Sequence, residues 1–389
     1  MAEVNLIPEL RFPEFNDEWE EKKLGDVLKI GSGKDYKHLN SGDIPVYGTG
    51  GFMTTVDDFI YDGESIGIGR KGTIDKPVFL SGKFWTVDTL FYTHSFKDSK
   101  PKFIFSIFQN INWKKYNEAS GVPSLSKTTI EKIKINIPNP IEQQKIASFL
   151  TAIDERIQLL QKKKAKLEEY KKSVMQKLLF SQDIRFKDEH GNDFPDWEEK
   201  RLGEIGDTFN GLTGKTKVDF GEGKPYVQYM QIFSNSKVNI KDFGFVKIEE
   251  NENQNTVQYG DIFFTTSSET PNEIGTASVM LDEVDEVYLN SFCFGFRPNS
   301  LTELVPAFSR YLFRSELFRR KIIKLAQGST RFNMSKVELM KLKVLLPKEK
   351  EQIKIADFLT SLDGAIEAIE AEICGSMKYK KGLLQKMFV

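Results

Sequence analysis

Cysteine and histidine are scarce in this chain: two cysteines, Cys293 and Cys374, and three histidines, His38, His94 and His190, in 389 residues. Two cysteines cannot build a disulfide framework or a zinc cluster, and the scattered histidines add no ligand spacing, so no structural metal is expected. So few imidazoles also disfavour acid–base catalysis. Neither a paired-carboxylate nuclease pattern nor a Ser/His/Asp arrangement stands out, so no catalytic residue is assigned. No run approaches 18 apolar residues, and the acidic, proline-containing start at 1–13 lacks the basic-then-apolar order of a signal peptide. A cytoplasmic protein without membrane segments is therefore expected. A cationic excess is missing too: 55 basic against 56 acidic residues leave a net charge of −1. This excludes a histone-like polyanion binder, whose affinity comes from phosphate contacts alone. It leaves open a chain whose charges are segregated into a basic face and an acidic back.

What is present is enough apolar and aromatic material to fold throughout: 39% hydrophobic residues, with 31 Phe, 12 Tyr and 4 Trp. The length suits two or three domains, each with its own core. Two nucleotide-site lookalikes fail on context. Gly67-Ile68-Gly69-Arg70-Lys71-Gly72 fits G-x-G-x-x-G, but Thr73-Ile74-Asp75-Lys76-Pro77 cannot open a dinucleotide-binding helix, so a turn is expected. Gly214-Lys215-Thr216 resembles the end of a P-loop, yet the required upstream glycine position is Phe209 and no long helix follows. An amino-methyltransferase N-P-P-[YF] segment is likewise missing, Asn139-Pro140-Ile141 being a partial match.

The strongest signal is an internal repeat. Trp19-Glu20-Glu21-Lys22-Lys23-Leu24-Gly25 returns as Trp197-Glu198-Glu199-Lys200-Arg201-Leu202-Gly203, at an offset of 178. The thirteen residues from Glu142 to Asp154 return from Glu351 to Asp363, at an offset of 209, with nine identities. The same 209 carries Tyr170-Lys171-Lys172 onto Tyr379-Lys380-Lys381 and Ser126-Lys127 onto Ser335-Lys336. Between these anchors, about 27–120 and 205–327 share little. A common frame with different contents implies two related modules that each bind something different; simple duplication with drifting loops is the alternative.

From Ile141 to Phe180 there is neither glycine nor proline, which predicts one long helix. Steps of four and three from Ile146 meet Leu150, Ile153, Ile157, Leu160, Lys164, Leu167 and Lys171, a heptad seam holding two lysines. Adding 209 gives Ile355, Leu359, Leu362, Ile366, Ile369, Ile373, Ser376 and Lys380. Gly364, Gly375 and Gly382 interrupt this second copy, predicting a bent or frayed end. Each seam needs a partner: the other copy in the same chain, antiparallel, or a second molecule in a homodimeric coil. The expected fold class is α+β, with two β-rich modules separated by two long antiparallel helices. The expected division is 1–140, a helix at 141–180, 181–348 and a helix at 349–389.

Within the modules, strand-like runs at Ile44–Tyr47, Ser65–Gly69, Pro77–Leu80, Tyr226–Met230 and Asp261–Thr265 alternate with glycine-rich turns. Helical pieces are expected near 101–115 and 306–325. The turns carry donors suited to DNA: Ser32, Lys34, Tyr36, Lys37, Arg70 and Lys71 in the first module, and Thr213, Lys215, Thr216, Lys217 and Gln228 in the second. Arginine and lysine reach guanine or phosphate, glutamine pairs with adenine, and hydroxyls serve either role. For each, a solvated loop residue is the plainer alternative. Ser124, Thr330 and Arg331 lie in loops that either touch DNA or cap the helices that follow, Ser126 being an N-cap candidate.

The doubled Trp-Glu-Glu-Lys-x-Leu-Gly openings, Gly42-Asp43-Ile44-Pro45-Val46-Tyr47, Ile68-Gly69-Arg70-Lys71-Gly72-Thr73-Ile74 and the Glu-Gln-x-Lys-Ile-Ala-x-Phe-Leu helix starts together resemble type I restriction-modification specificity subunits along essentially the whole chain. That resemblance implies two target recognition domains, each reading half of a bipartite site in double-stranded DNA. It implies that the helices act as a spacer and dock modification (methyltransferase) subunits, two of them expected, joined by ATP-dependent restriction subunits. The modification subunits would supply S-adenosylmethionine, so this chain would carry no cofactor. A self-sufficient methyltransferase or nuclease, and a coiled-coil scaffold reading proteins, are the rival classes.

Overall fold

The computed structural model describes residues 6–328 and 331–389, which fall into two compact units: residues 1–163 with 369–389, and residues 164–368. Both are mixed α/β, and the same plan is built in each.

In the first unit a four-stranded antiparallel sheet runs in the order Lys29–Ser32, Leu90–His94, Ser65–Gly69, Val78–Leu80. In the second the order is Gly206–Asn210, Cys293–Pro298, Ile262–Thr265, Ala277–Val279. The central strands Ser65–Gly69 and Ile262–Thr265 are buried at every residue, as expected of strands covered on both faces. Each unit adds a second sheet holding one parallel pairing, four-stranded in the first unit, where Tyr61–Asp62 also pairs antiparallel with Lys83–Thr86, and three-stranded in the second. Ile44–Gly48 pairs with Gly51–Val56 and with Lys83–Thr86, and Phe220–Val227 pairs with Gly244–Val246 and with Tyr288–Leu289. The strand expected to reach Met230 ends at Val227, and Tyr229–Ser234 is a short helix. Helices Pro101–Asn110, Pro306–Leu312 and Glu316–Ile323 fill the expected helical stretches, the first two with proline in the opening turn.

The repeated openings form strands, and their partners lie just before the long helices. Glu20–Lys23 pairs with Lys134–Ile137, and Glu198–Arg201 with Lys343–Leu346. Behind each ladder sits a buried carboxylate. Arg11 donates two 2.7 Å hydrogen bonds to Glu142, which also accepts from the Trp19 indole. Arg185 and Trp197 hold Glu351 in the same way. The neighbouring glutamines donate to the carbonyls of Pro138 and Pro347 five residues back. The repeated Glu-Gln of the helix starts is therefore a buried polar clamp, satisfied as buried polar groups require.

The long helices span Pro140–Leu179 and Glu349–Met387, the second unbroken through Gly364, Gly375 and Gly382, where an added Cβ would meet nothing within 4 Å. Every predicted seam residue is buried or half-buried, whereas Leu159, Tyr170, Met377 and Tyr379 off the seam are exposed. The partner of each helix is the other helix of the same chain. In the first unit Ile146, Ala147 and Leu150 share a core with Leu383, Leu384 and Met387, and Arg156 meets Glu372 at 2.5 Å. In the second Val174 and Leu178 share a core with Ile355 and Leu359. The start of one helix lies with the end of the other, so the pairing is antiparallel. The seam lysines are answered: Lys380 bonds Asp154 in the first unit and Lys171 bonds Asp363 in the second.

Candidate nucleic-acid interface

In the first unit, strand register brings together residues far apart in sequence. Ser32 ends its strand directly opposite Phe91. Beside it the chain leaves Gly69 into a tight turn: a side chain there would sit 2.0 Å from the Thr73 carbonyl oxygen, and Gly72 adopts φ +92°. That turn is the G-x-G-x-x-G lookalike, and it puts Arg70 and Lys71 on the exposed surface. The Arg70 N–H donates to the Thr89 carbonyl, and the Arg70 carbonyl accepts from Leu125 N–H at 2.9 Å. Lys71 forms a bridge with Ser124. The loop carrying Ser124 is braced by Asn117, whose Oδ1 accepts from the N–H of Ala119 and of Ser124. Ser126 Oγ then accepts from Thr129 N–H at 3.1 Å, capping Lys127–Glu131.

These elements enclose an open cleft of about 730 Å³ lined by Ser32, Arg70, Lys71, Phe91, Ser124 and Lys127, among others. Arg70 and Lys127 each stand 5.9 Å from the centre of the Phe91 ring. Glu118 is the one carboxylate among the lining residues, against three cations. The Thr129 and Ser126 hydroxyls hold its carboxyl below the usual carboxylate range. Nearby His94 is held below the ordinary imidazole value, first by burial and then by Lys127 and Lys29. The cleft is a cationic surface with hydroxyl donors and one aromatic face.

The second unit repeats the frame. Asn210 ends its strand opposite Phe294, and Lys336 stands 5.5 Å from that ring and donates to Asn210 Oδ1. Met334 N–H donates to the Thr266 carbonyl, Thr266 N–H donates to the Phe292 carbonyl, and Ser267 pairs with Asn333. Thr266 thus occupies the place of Arg70, and Arg331, 209 residues on, the place of Val122. Arg331 is exposed and stacks 5.9 Å from Phe292.

Of the residues singled out from sequence, Ser32, Arg70, Lys71 and Ser124 converge on the first cleft. Lys34, Tyr36 and Lys37 do not line it. The Lys34 carbonyl accepts from the Trp85 indole at 2.9 Å, Tyr36 packs on the small core around Val46 and Trp85, and Lys37 is exposed. In the second unit most candidates are engaged locally. Thr213 N–H donates to Gln254, Thr216 bonds Asp219, and Gln228 makes a long 3.4 Å bond to the Asp242 carbonyl. Lys215 is turned inward against Glu252 at 2.5 Å, its side chain 5% exposed. Lys217 is exposed, and Thr330 lies outside the described residues. Lys127, Lys336, Asn210 and the two phenylalanines were not singled out. The 209 offset of the Ser-Lys pairs was the signal that marked the lysines.

Among the described residues no group of three or more His, Cys, Asp or Glu could hold a metal ion, and no helix is long and apolar enough to cross a membrane. The chain is 26% identical over 423 residues to the MjaVIII type I restriction enzyme specificity subunit of Methanocaldococcus jannaschii, covering 96% of this chain and 92% of that relative. In fold it is similar to the type I restriction-modification S subunit of M. genitalium, with TM-score 0.63 at 16% identity over 98% and 99% of the two chains. It is also similar to a chain from a study of type I R-M complex assembly and conformational transition, with TM-score 0.55 at 16% identity over 95% and 96%. The family model for the type I restriction modification DNA specificity domain matches twice, at residues 16–169 and 195–374, and the chain belongs to that family.

Proposed function

We propose that this chain is the DNA-reading subunit of a type I restriction-modification complex, acting in the cytoplasm and contributing no catalytic group of its own. Each unit reads one half of a bipartite site in double-stranded DNA. The two long helices set the distance between the halves and dock the methyltransferase subunits, with restriction subunits joining that core. The observation that carries this reading is the pair of frames alike in hydrogen-bond register but unlike in side chains: Ser32, Arg70 and Lys71 in one, Asn210, Thr266 and Ser267 in the other. Two readers of common construction and different chemistry suit two different half-sites, because base edges are distinguished by donor and acceptor type.

The test is to map methylated sites in cells that express the full chain with its modification subunits. Two half-sites separated by an unread gap of fixed length are expected. Exchanging 208–328 for the same segment of another family member should change one half alone. Inserting one heptad into each long helix, after Lys163 and after Ala368, keeps the seam in phase and adds about 10 Å at 1.5 Å per residue. The gap should then lengthen by about three base pairs at 3.4 Å each. An unchanged gap would overturn the spacer role.

A further inference from the structure

Both units carry a lysine in the same place, and near it each carries an exposed arginine in a different place. Lys127 and Lys336 follow their Ser by one residue, sit at the start of a short helix, and stand over a phenylalanine that faces the end of a strand. Among the described residues no hydrogen bond or ion pair holds the Lys127 ammonium, and Lys336 uses one of its three donors on Asn210. The arginines do not correspond. Arg70 lies on the turn after a central strand, where the second unit has Thr266; Arg331 lies on the later loop, where the first unit has Val122. The Arg70 guanidinium makes a single long contact, 3.5 Å to the Asp88 carbonyl, besides the Phe91 ring. Arg331 has the Phe292 ring. Among the described residues no ion pair holds either fork, so both are open to a planar acceptor pair.

What every half-site has in common is its phosphate backbone, and what differs is its bases. Resting on the proposal that each unit reads DNA, we infer that Lys127 and Lys336 are equivalent phosphate anchors that set each unit's register, while Arg70 and Arg331 each read a guanine, one in each half-site. An ammonium is a point charge that suits a phosphate at any sequence. The guanidinium fork matches the O6 and N7 acceptors of guanine in the major groove. In each unit it is the half-buried ammonium itself that stands over the ring, at 5.9 Å for Lys127 and 5.5 Å for Lys336, which fixes where the charge meets a phosphate. Moving the arginine from one loop to another shifts where along the half-site the guanine falls.

The experiment uses the full chain with its modification subunits. Methylated sites are mapped in cells, and binding to a duplex carrying the mapped site is measured across a salt series. Lys127→Ala and Lys336→Ala should leave the mapped sequence unchanged, weaken binding about tenfold, and each reduce the salt slope by about 1. Lys127→Arg should restore both. Arg70→Ala should abolish preference for guanine at one position of one half-site, and Arg331→Ala should do so in the other half-site. Arg70→Lys should fail to restore that preference, since the paired fork is lost. All four side chains lie on loops or helix starts, and circular dichroism and melting of each variant verify the fold. Arginine variants that leave both half-sites intact, or a lysine variant that alters the sequence read, would overturn the assignment. If the wild-type complex showed no site-selective binding, the broader DNA-reading proposal would fail instead, a result of different form.

Discussion

In the first unit the ring of Tyr92 lies across Gly31, its partner on the neighbouring strand; in the second the ring of Phe209 lies across Gly295. The rung is the same in both sheets, but ring and glycine have exchanged strands. A Cβ on Gly31 would come within 2.2 Å of the Tyr92 ring, and one on Gly295 within 2.0 Å of Phe209. The fold therefore requires one aromatic covering one glycine at this rung and is indifferent to which strand supplies it. The surroundings differ with the swap. Tyr92 packs among Tyr61, Phe84 and His94, whereas Phe209 lies beneath the Arg297 guanidinium. The lesson extends to the cleft of the first unit and the matching frame of the second: the two copies keep backbone pairings, while residue identities drift around them.

The sharpest way to break the equivalence is at the buried clamps. Glu351→Ala strands Arg185 and the Trp197 indole without their shared carboxylate, and losing one partner of a buried pair destabilises by about 3–5 kcal/mol. Glu142→Ala should do the same to the first unit. Urea unfolding followed by hydrogen exchange, read separately over the residues of each unit, reports which unit has weakened. A smaller difference is expected between the seam aspartates. Asp363 is bonded by Lys171, Arg310 and Tyr311, whereas Asp154, a third exposed, is bonded among the described residues by Lys380 alone. Asp363→Ala should be destabilising on the order of 2 kcal/mol, and Asp154→Ala by about 1 or less. The same denaturation curves check the order.

The ring-and-glycine rung supplies a cycle. Gly31→Phe alone should destabilise by roughly 1–3 kcal/mol through overpacking. Pairing it with Tyr92→Gly installs the arrangement of the second unit and should recover most of that loss. A double variant no better than the single would show that the neighbours, and not the rung, dictate the choice. The smallest effect separates the helix caps. Ser126→Ala removes a side-chain cap worth about 1 kcal/mol, whereas Ser335 makes no such bond, so Ser335→Ala should be close to neutral.

Much of the architecture could be read from the chain. The absence of glycine and proline over forty residues, the seam and the duplicated anchors place both long helices to within a residue or two, but they leave an intrachain and a homodimeric partner open, and the shared cores decide for the first. The strands Ile44–Gly48, Ser65–Gly69 and Ile262–Thr265 follow from their apolar runs between turn residues. The cleft was less legible, because it depends on long-range register: Ser32, Arg70 and Ser124 meet only after two strands pair and a loop is stitched back at Leu125. Lys215 reads as a free donor until Glu252, 37 residues later, folds over it. The glycines at 364, 375 and 382 suggested a weakened helix, but they lie among residues whose packing against the partner helix outweighs an intrinsic deficit of about 1 kcal/mol each.

Lysine on an otherwise oily seam has a mechanical consequence. With Lys171 facing Asp363 and Lys380 facing Asp154, sliding the helices past one another by one heptad in one direction would set both ammonium groups against alanines, Ala356 and Ala147. Two such teeth key the helix pair to a single alignment, as one polar position does in a coiled coil. If the proposed reading of two half-sites holds, a helix pair that cannot slip is what a gap of constant length would need.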